Sequence, residues 1–185
     1  MLSGFFGKLY ALPYMEVIGV EGLFSLSVLW LKLKYGRKLR PVWGGMLLFW
    51  GCAVLYLTIW SRSGSSPYRI AWLPFHSYRE MLQTGNREIL RSSFMNVALF
   101  YPAGLLTASL LSEQWPRRRK LMVTAIVFAL FSLAIECTQS FCALGRPEID
   151  DVLHNTLGAV CGAAPIILRD PCSRSSEGAP TGPAR

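Results

Sequence analysis

The sequence carries little charge for its length, and two long stretches carry none. Only 16% of its 185 residues are Asp, Glu, Lys or Arg, whereas 52% are hydrophobic. A transmembrane helix needs about 20 consecutive, predominantly apolar residues. Residues 42–60 and 92–112 reach about that length without one charged side chain. This composition excludes an ordinary soluble domain and predicts an integral membrane protein.

A paired metal-binding spacing of cysteines and a cleavable signal are also missing. The five cysteines show no C-x-x-C pattern, and we interpret them as small hydrophobic side chains. The apolar opening is interrupted by Pro13 and Glu16, which is unlike a secretion signal. We therefore expect the N-terminus to be retained.

Three further segments are candidate spanning helices. Residues 121–135 are uncharged and reach spanning length by continuing through Glu136, and residues 152–168 are just long enough to cross. Residues 13–33 are apolar and aromatic but include two glutamates, so this segment is predicted to span, with an interfacial helix as the alternative. The expected fold class is all-α, a polytopic bundle of about five transmembrane helices, or four if the first is interfacial.

The whole bundle is expected to form one domain over residues 1–170. Residues 171–185 are small, polar and rich in proline and serine, so they are predicted to be a disordered tail.

The formal charge of +8 is concentrated in two short connections. Residues 32–40 contain five basic residues and no acid, and residues 117–120 read RRRK. Basic loops mark the cytoplasmic side of a membrane protein. With five spans in the cell membrane, the N-terminus is then expected outside and the C-terminus in the cytoplasm. Because this charge follows the loops, we predict a lipid bilayer as partner and no nucleic acid.

The connection over residues 61–91 contains a candidate short helix. Ser77 and Glu80 have the spacing of a capping box, which predicts a helix starting at Tyr78 and breaking near residues 84–86. A helix on the membrane surface is one interpretation, and a lid over a site is the other.

Polar side chains gather near one end of the predicted bundle. Glu136 and Gln139 share a helix face, and a short connection leads from them to the start of the last helix. That helix opens with Asp150 and Asp151, and Asn155 lies one turn deeper than Asp151. Asn96 lies inside another span, where an unpaired amide costs several kcal/mol, so it also needs a partner.

These residues support two interpretations. Carboxylates in or near a membrane are expensive and indicate a functional site. In a site, Glu136, Asp150 and Asp151 are the candidate catalytic groups, acting as acid or base or holding a divalent cation such as Mg²⁺ or Ca²⁺. Alternatively, Asp150 and Asp151 cap the last helix and pair with Arg146.

The motifs of the second half resemble those of the VanZ-like family of membrane proteins. The resemblance covers residues 72–165 and rests on LPF at 73–75, NVALFYPAG at 96–104, IECTQSF at 135–141, GRPEIDD at 145–151, NTLG at 155–158 and Gly162. The founding member of that family is associated with resistance to the glycopeptide antibiotic teicoplanin. The resemblance implies the same context here. Asn96, Gln139, Arg146 and Asn155 are the candidate ligand-binding residues.

Three hypotheses of function follow. In the first, the polar cluster lies at the outer membrane face, where it binds or modifies a lipid or a lipid-linked cell-wall component and alters how a glycopeptide antibiotic meets the membrane. In the second, the protein is an intramembrane enzyme in which Glu136 acts as acid or base. In the third, the polar residues only lock helices together in a structural scaffold.

Overall fold

The protein is a bundle of long helices. The structure, a computed structural model, describes residues 14–60, 73–85, 88–144 and 148–169, and no β-strand occurs in these ranges. The α-helices are α1 (Tyr14–Tyr35), α2 (Arg40–Leu55), α3 (His76–Thr84), α4 (Glu88–Leu110), α5 (Arg117–Phe141) and α6 (Ile149–Arg169). A 3₁₀ turn over Gly36–Leu39 joins α1 to α2, and a π-helical segment over Tyr56–Trp60 follows α2. The all-α prediction is confirmed.

Four segments are long and apolar enough to cross a membrane: Met15–Trp60, Ile89–Leu110, Arg117–Phe141 and Ile149–Arg169. The first has 46 residues, which at 1.5 Å per residue is about 69 Å of helix, more than twice the hydrocarbon thickness. It contains both α1 and α2, separated by the 3₁₀ turn that begins at Gly36, whose φ is +54°.

Contacts with α4 show that α1 and α2 run in opposite directions. The Ser25 hydroxyl lies 2.9 Å from the Tyr101 hydroxyl, and Arg37 forms an ion pair with Glu113, so α1 runs parallel to α4. Arg40 donates to the carbonyl of Leu110 and the Trp50 indole donates to that of Leu99, so α2 runs antiparallel to α4. The prediction of about five long helices is confirmed, since α1 lies in the bundle beside α4.

The interface between α4 and α6 is the tightest in the described structure. A Cβ atom at Gly104 would overlap the backbone of Ala159, one at Gly158 would overlap that of Val97, and one at Gly162 would overlap that of Tyr101. Small residues let two helix backbones approach closely in a membrane. The G-x-x-x-G pair at 158 and 162 therefore has the close-packing role that its spacing suggests.

Two buried apolar clusters fill the bundle. One joins Val28 and Trp43 to Leu105 and Ile166. The other, nearer the opposite end, contains Val54, Phe100, Phe128, Ile135 and Ala159, with the rings of Phe100 and Phe128 packed edge to face at 6.1 Å. Large apolar side chains on the outer faces of α1, α2 and α5 are exposed, as expected for helices that contact lipid.

The two basic connections lie at the same end of the bundle, which we call the basic end. Arg37 next to α1 pairs with Glu113 before α5, and Arg117 at the start of α5 donates to the carbonyl of Leu168 near the end of α6. The candidate site residues lie at the opposite end, the cluster end. Which end faces the cytoplasm stays a prediction from the positions of the basic residues.

The short helix α3 differs from its prediction at one end. It begins at His76, and Phe75 precedes it with a φ of 62° and no side-chain cap, so the capping box at Ser77 is wrong. It ends at Thr84, with Gly85 in the left-handed conformation that closes a helix, as predicted. The Ser77 side chain has another partner, described below.

Candidate functional site

The predicted site residues on α5 and α6 are almost completely enclosed. Glu136, Gln139, Asp150 and Asn155 are each between 1% and 4% exposed. A buried polar group is costly unless it forms hydrogen bonds. The partner of each side chain therefore decides whether it holds the fold together or remains able to bind something else.

Gln139 and Glu136 bind backbone groups of neighbouring segments. The Gln139 side-chain amide donates to the carbonyl oxygen of Thr58 at 2.9 Å. Thr58 lies in the π-helical segment, so Gln139 ties α5 to the end of α2. One carboxyl oxygen of Glu136 accepts a hydrogen bond from the backbone N–H of Glu148 at 3.0 Å, immediately before α6. Both contacts join helices.

Asp150 binds α3 rather than capping its own helix. Its two carboxyl oxygens accept hydrogen bonds from the backbone N–H groups of Phe75 and Ser77, at 2.6 and 2.9 Å. The Ser77 hydroxyl also donates to Glu148 at 2.6 Å. The first turn of a helix has free N–H groups, and a carboxylate is a favourable partner for them. Asp150 thus holds α3 over the start of α6.

Asp151 joins α6 to α4. The side-chain amide of Asn96 donates to an Asp151 carboxyl oxygen at 2.7 Å. The sequence indicates that Asn96 needs a partner inside its span, and Asp151 supplies it. These two predicted site residues are therefore brought into direct contact, although 55 positions separate them in the chain.

Two adjacent side chains on α6 retain unused polar atoms. Asn155 donates to the Ser132 hydroxyl at 2.8 Å, but its carbonyl oxygen has no hydrogen-bond partner in the described part of the chain. His154 shares a 2.7 Å hydrogen bond between its Nε2 atom and the Tyr78 hydroxyl, and its Nδ1 atom has no partner there. Both residues are more than nine-tenths buried.

His154 is a site residue that the sequence reasoning did not select. It binds Tyr78 of α3 and packs against that ring at a centroid distance of 5.7 Å. The signal was its position: His154 comes four residues after Asp150 and therefore lies on the same helix face. Asp150 and His154 both bind the beginning of α3, which makes α3 a cover held by two residues one turn apart.

The remaining predictions about the site have different outcomes. Arg146 and the tail over residues 171–185 lie outside the described residues. Within the described ranges, no group of three His, Cys, Asp or Glu side chains is arranged to hold a metal ion. A divalent cation therefore gains no support from the described carboxylates, several of which already bind N–H donors.

Comparison with protein families gives one match. The family model described as VanZ/LLP1 matches residues 44–169, more than half of the chain and all of α4, α5 and α6. The chain belongs to the VanZ/LLP1 family. The matched range includes every predicted site residue of this VanZ/LLP1 protein, which confirms the family resemblance of its motifs. Comparisons with curated proteins and with solved structures found no match.

Proposed function

We propose that this VanZ/LLP1 protein binds the polar headgroup of a lipid or a lipid-linked cell-wall component beneath α3. The supporting observation is the unpartnered pair of atoms on α6, the carbonyl oxygen of Asn155 and Nδ1 of His154, both buried. A buried polar atom without a partner is unusual and can be explained by a ligand that supplies one. We infer that the ligand enters when α3 moves away.

The chemistry of the cluster favours a ligand rich in hydrogen-bond donors. The amide oxygen of Asn155 accepts, as do the carboxylates of Asp151 and Glu136. An anionic phosphate would meet these groups unfavourably, whereas hydroxyl and amide N–H groups would pair with them. Sugar and peptide groups carry such donors. A lipid-linked cell-wall component that contains both is therefore the ligand class we favour.

This proposal gives a physical route to glycopeptide resistance. A protein that holds the sugar or peptide part of a precursor at the membrane would change how teicoplanin reaches its target, without breaking a covalent bond. The enzyme hypothesis is weaker, because one Glu136 oxygen binds the Glu148 N–H and both Asp150 oxygens bind α3. Those oxygens would have to leave their partners before they acted on a substrate.

The structural scaffold is the second candidate, and a specific observation favours it. Asp150, Asp151 and Gln139 all bind groups of other helices or of α3. Such contacts need no ligand to explain them. The two candidates differ at Asn155, whose amide oxygen a scaffold leaves unused.

The test compares variants in cells, at membrane levels checked by immunoblot. Asn155→Leu removes the free acceptor, and Asp151→Asn alters the neighbouring carboxylate. Thr138→Val is the control, because within the described ranges the Thr138 hydroxyl donates to the carbonyl of Ala134 in its own helix. Teicoplanin susceptibility and the extracted lipid precursors are measured together.

We expect Asn155→Leu to abolish any protection conferred by the parent chain, with an unchanged precursor pool, while Thr138→Val behaves as the parent. Protection that persists at normal level in Asn155→Leu contradicts the headgroup proposal and supports the scaffold. A new precursor species that depends on Glu136 would instead support the enzyme.

A further inference from the structure

An apolar groove opens between α1, α2 and α4, on a different side of α4 from the tight interface with α6. Its volume is about 220 Å³. Val20 and Phe24 line it from α1, Trp50 from α2, Leu57 from the π-helical segment, and Leu99 from α4. At the basic end α1 and α2 share one apolar core through Val28 and Trp43. The groove lies beyond that core, toward the cluster end.

The position of the groove determines what surrounds it. All of its lining residues belong to segments long and apolar enough to span a membrane. Val20 is 63% exposed, so the groove is open on the outside of the bundle. At this depth the surroundings are lipid chains, and an apolar groove is filled by them rather than by water.

The size of the groove fits part of one chain. A volume of 220 Å³ equals about seven groups the size of a water molecule or a methylene. The groove thus suits a molecule with a single alkyl or polyprenyl chain at this position.

Glu21 supplies a carboxyl group to the otherwise apolar lining of the groove. It is the one ionisable side chain among the described lining residues, and it is partly buried. Within the described part of the chain the Glu21 carboxyl forms no hydrogen bond or ion pair. The nearby Ser25 hydroxyl donates to the backbone carbonyl of Glu21 and not to its carboxyl. Glu21 lies seven residues into α1, about 10 Å along the helix. A carboxyl inside a span indicates a functional role.

We propose that this groove binds the chain of a single-chain amphiphile whose polar group, an amine or a hydroxyl, donates a hydrogen bond to Glu21. The chain contacts Phe24, Trp50 and Leu99, and the polar group stays at the depth of the carboxyl. This site is separate from the cluster beneath α3: among the described residues Asp151 binds Asn96 and Asn155 binds Ser132, and neither partner lines the groove.

The test uses the purified full chain in detergent micelles, with a diazirine-bearing hexadecylamine as the photoactivatable probe. Mass spectrometry identifies the labelled peptides. Unlabelled hexadecylamine, hexadecanol and methyl palmitate are the competitors, since the ester has the same chain length but no donor. We expect labels on the α4 stretch from Met95 to Leu99, and competition by the amine at about tenfold lower concentration than by the ester.

Three variants decide the result. Glu21→Leu should remove the difference between amine and ester while labelling of α4 persists. Val20→Trp should block the groove and reduce labelling at least about fivefold, which corresponds to roughly 1 kcal/mol, whereas Leu23→Trp should not, because Leu23 is exposed on α1 and does not line the groove.

Equal competition by amine and ester in the parent chain would overturn the role of Glu21. Labels spread evenly over exposed apolar residues such as Leu130 would overturn the groove itself. Asp151→Asn should leave the labelling unchanged. If that variant loses headgroup binding while the groove is still labelled, the two sites bind their ligands independently, so either proposal can be wrong without the other.

Discussion

Helix α4 has two interfaces that are built in contrasting ways. Against α6, backbone meets backbone, and Gly104, Gly158 and Gly162 leave no room for a side chain. Against α1 and α2, large side chains such as Trp50 and Phe24 stand apart and leave a groove. The first interface has one arrangement that fits, since any added atom meets backbone. The interface with α1 and α2 can accept a ligand, since the walls of its groove are side chains and lipid.

The largest effect is expected at the α4 and α6 interface. Gly158→Ala places a methyl group against the backbone of Val97, which cannot move aside without separating the helices. We expect a loss of about 3 kcal/mol or more of stability, because overpacking costs about 1–3 kcal/mol even where side chains can adjust.

Gly51→Ala on α2 is the matched control, since a Cβ atom there meets nothing within 4 Å. Thermal unfolding in detergent, followed by size-exclusion chromatography, measures the difference. Equal melting temperatures for the two variants would show that the tight interface is not the rigid part of the bundle.

The next largest effect is expected at the contacts that attach α3 to α6. Asp150→Ala leaves the N–H groups of Phe75 and Ser77 without their acceptor, at about 1–3 kcal/mol each. We expect faster hydrogen exchange of those two amides, with the amides of α4 unchanged. Asp150→Asn keeps one good acceptor and should give an intermediate rate. Exchange that is unaffected in Asp150→Ala would mean that α3 is held by other contacts.

A comparison of two buried amides sharpens the distinction between structural and ligand-binding residues. Gln139→Leu removes the donor to Thr58 and leaves that carbonyl without it, which should cost about 1–3 kcal/mol. Asn155→Leu removes one hydrogen bond, to the Ser132 hydroxyl, together with an oxygen that has no partner in the described part of the chain, so its cost should be smaller, about 0.5–1.5 kcal/mol. Thermal unfolding of both variants checks this order. The reverse order would assign Asn155 to the structure and Gln139 to the site.

The smallest effect is expected at the groove. Trp50→Phe removes one hydrogen bond to the Leu99 carbonyl and should cost about 0.5–1.5 kcal/mol. Trp60→Phe is the control, because Trp60 is 81% exposed. If Trp50→Phe loses as much stability as Gly158→Ala, the interface of α4 with α1 and α2 tolerates change as poorly as the interface with α6.

The sequence was most informative where the membrane limits the possible structures. Charge-free runs of spanning length predict the long helices, because a bilayer core accepts few alternatives to a helix. The need of Asn96 for a partner follows from the same cost, and Asp151 meets it. The close packing at Gly158 and Gly162 follows from their spacing.

What the sequence could not supply are contacts between distant segments. Asp150 looked like a cap for its own helix, yet it binds α3, because the N–H groups of Phe75 and Ser77 reach it in space. His154 was not among the residues selected from the sequence, because its partner Tyr78 lies 76 positions away. The groove was not predicted either, since its lining residues come from α1, α2 and α4, which are separate segments of the chain.

The contact between Asn96 and Asp151 has a consequence for how the protein is made. Synthesis completes α4 before α6, so Asn96 enters the bilayer without the carboxylate that later accepts its hydrogen bond. During that interval the small-residue face of α4 also lacks α6. The newly inserted helix is thus an incomplete intermediate, whose Asn96 amide gains its Asp151 partner only when α6 arrives.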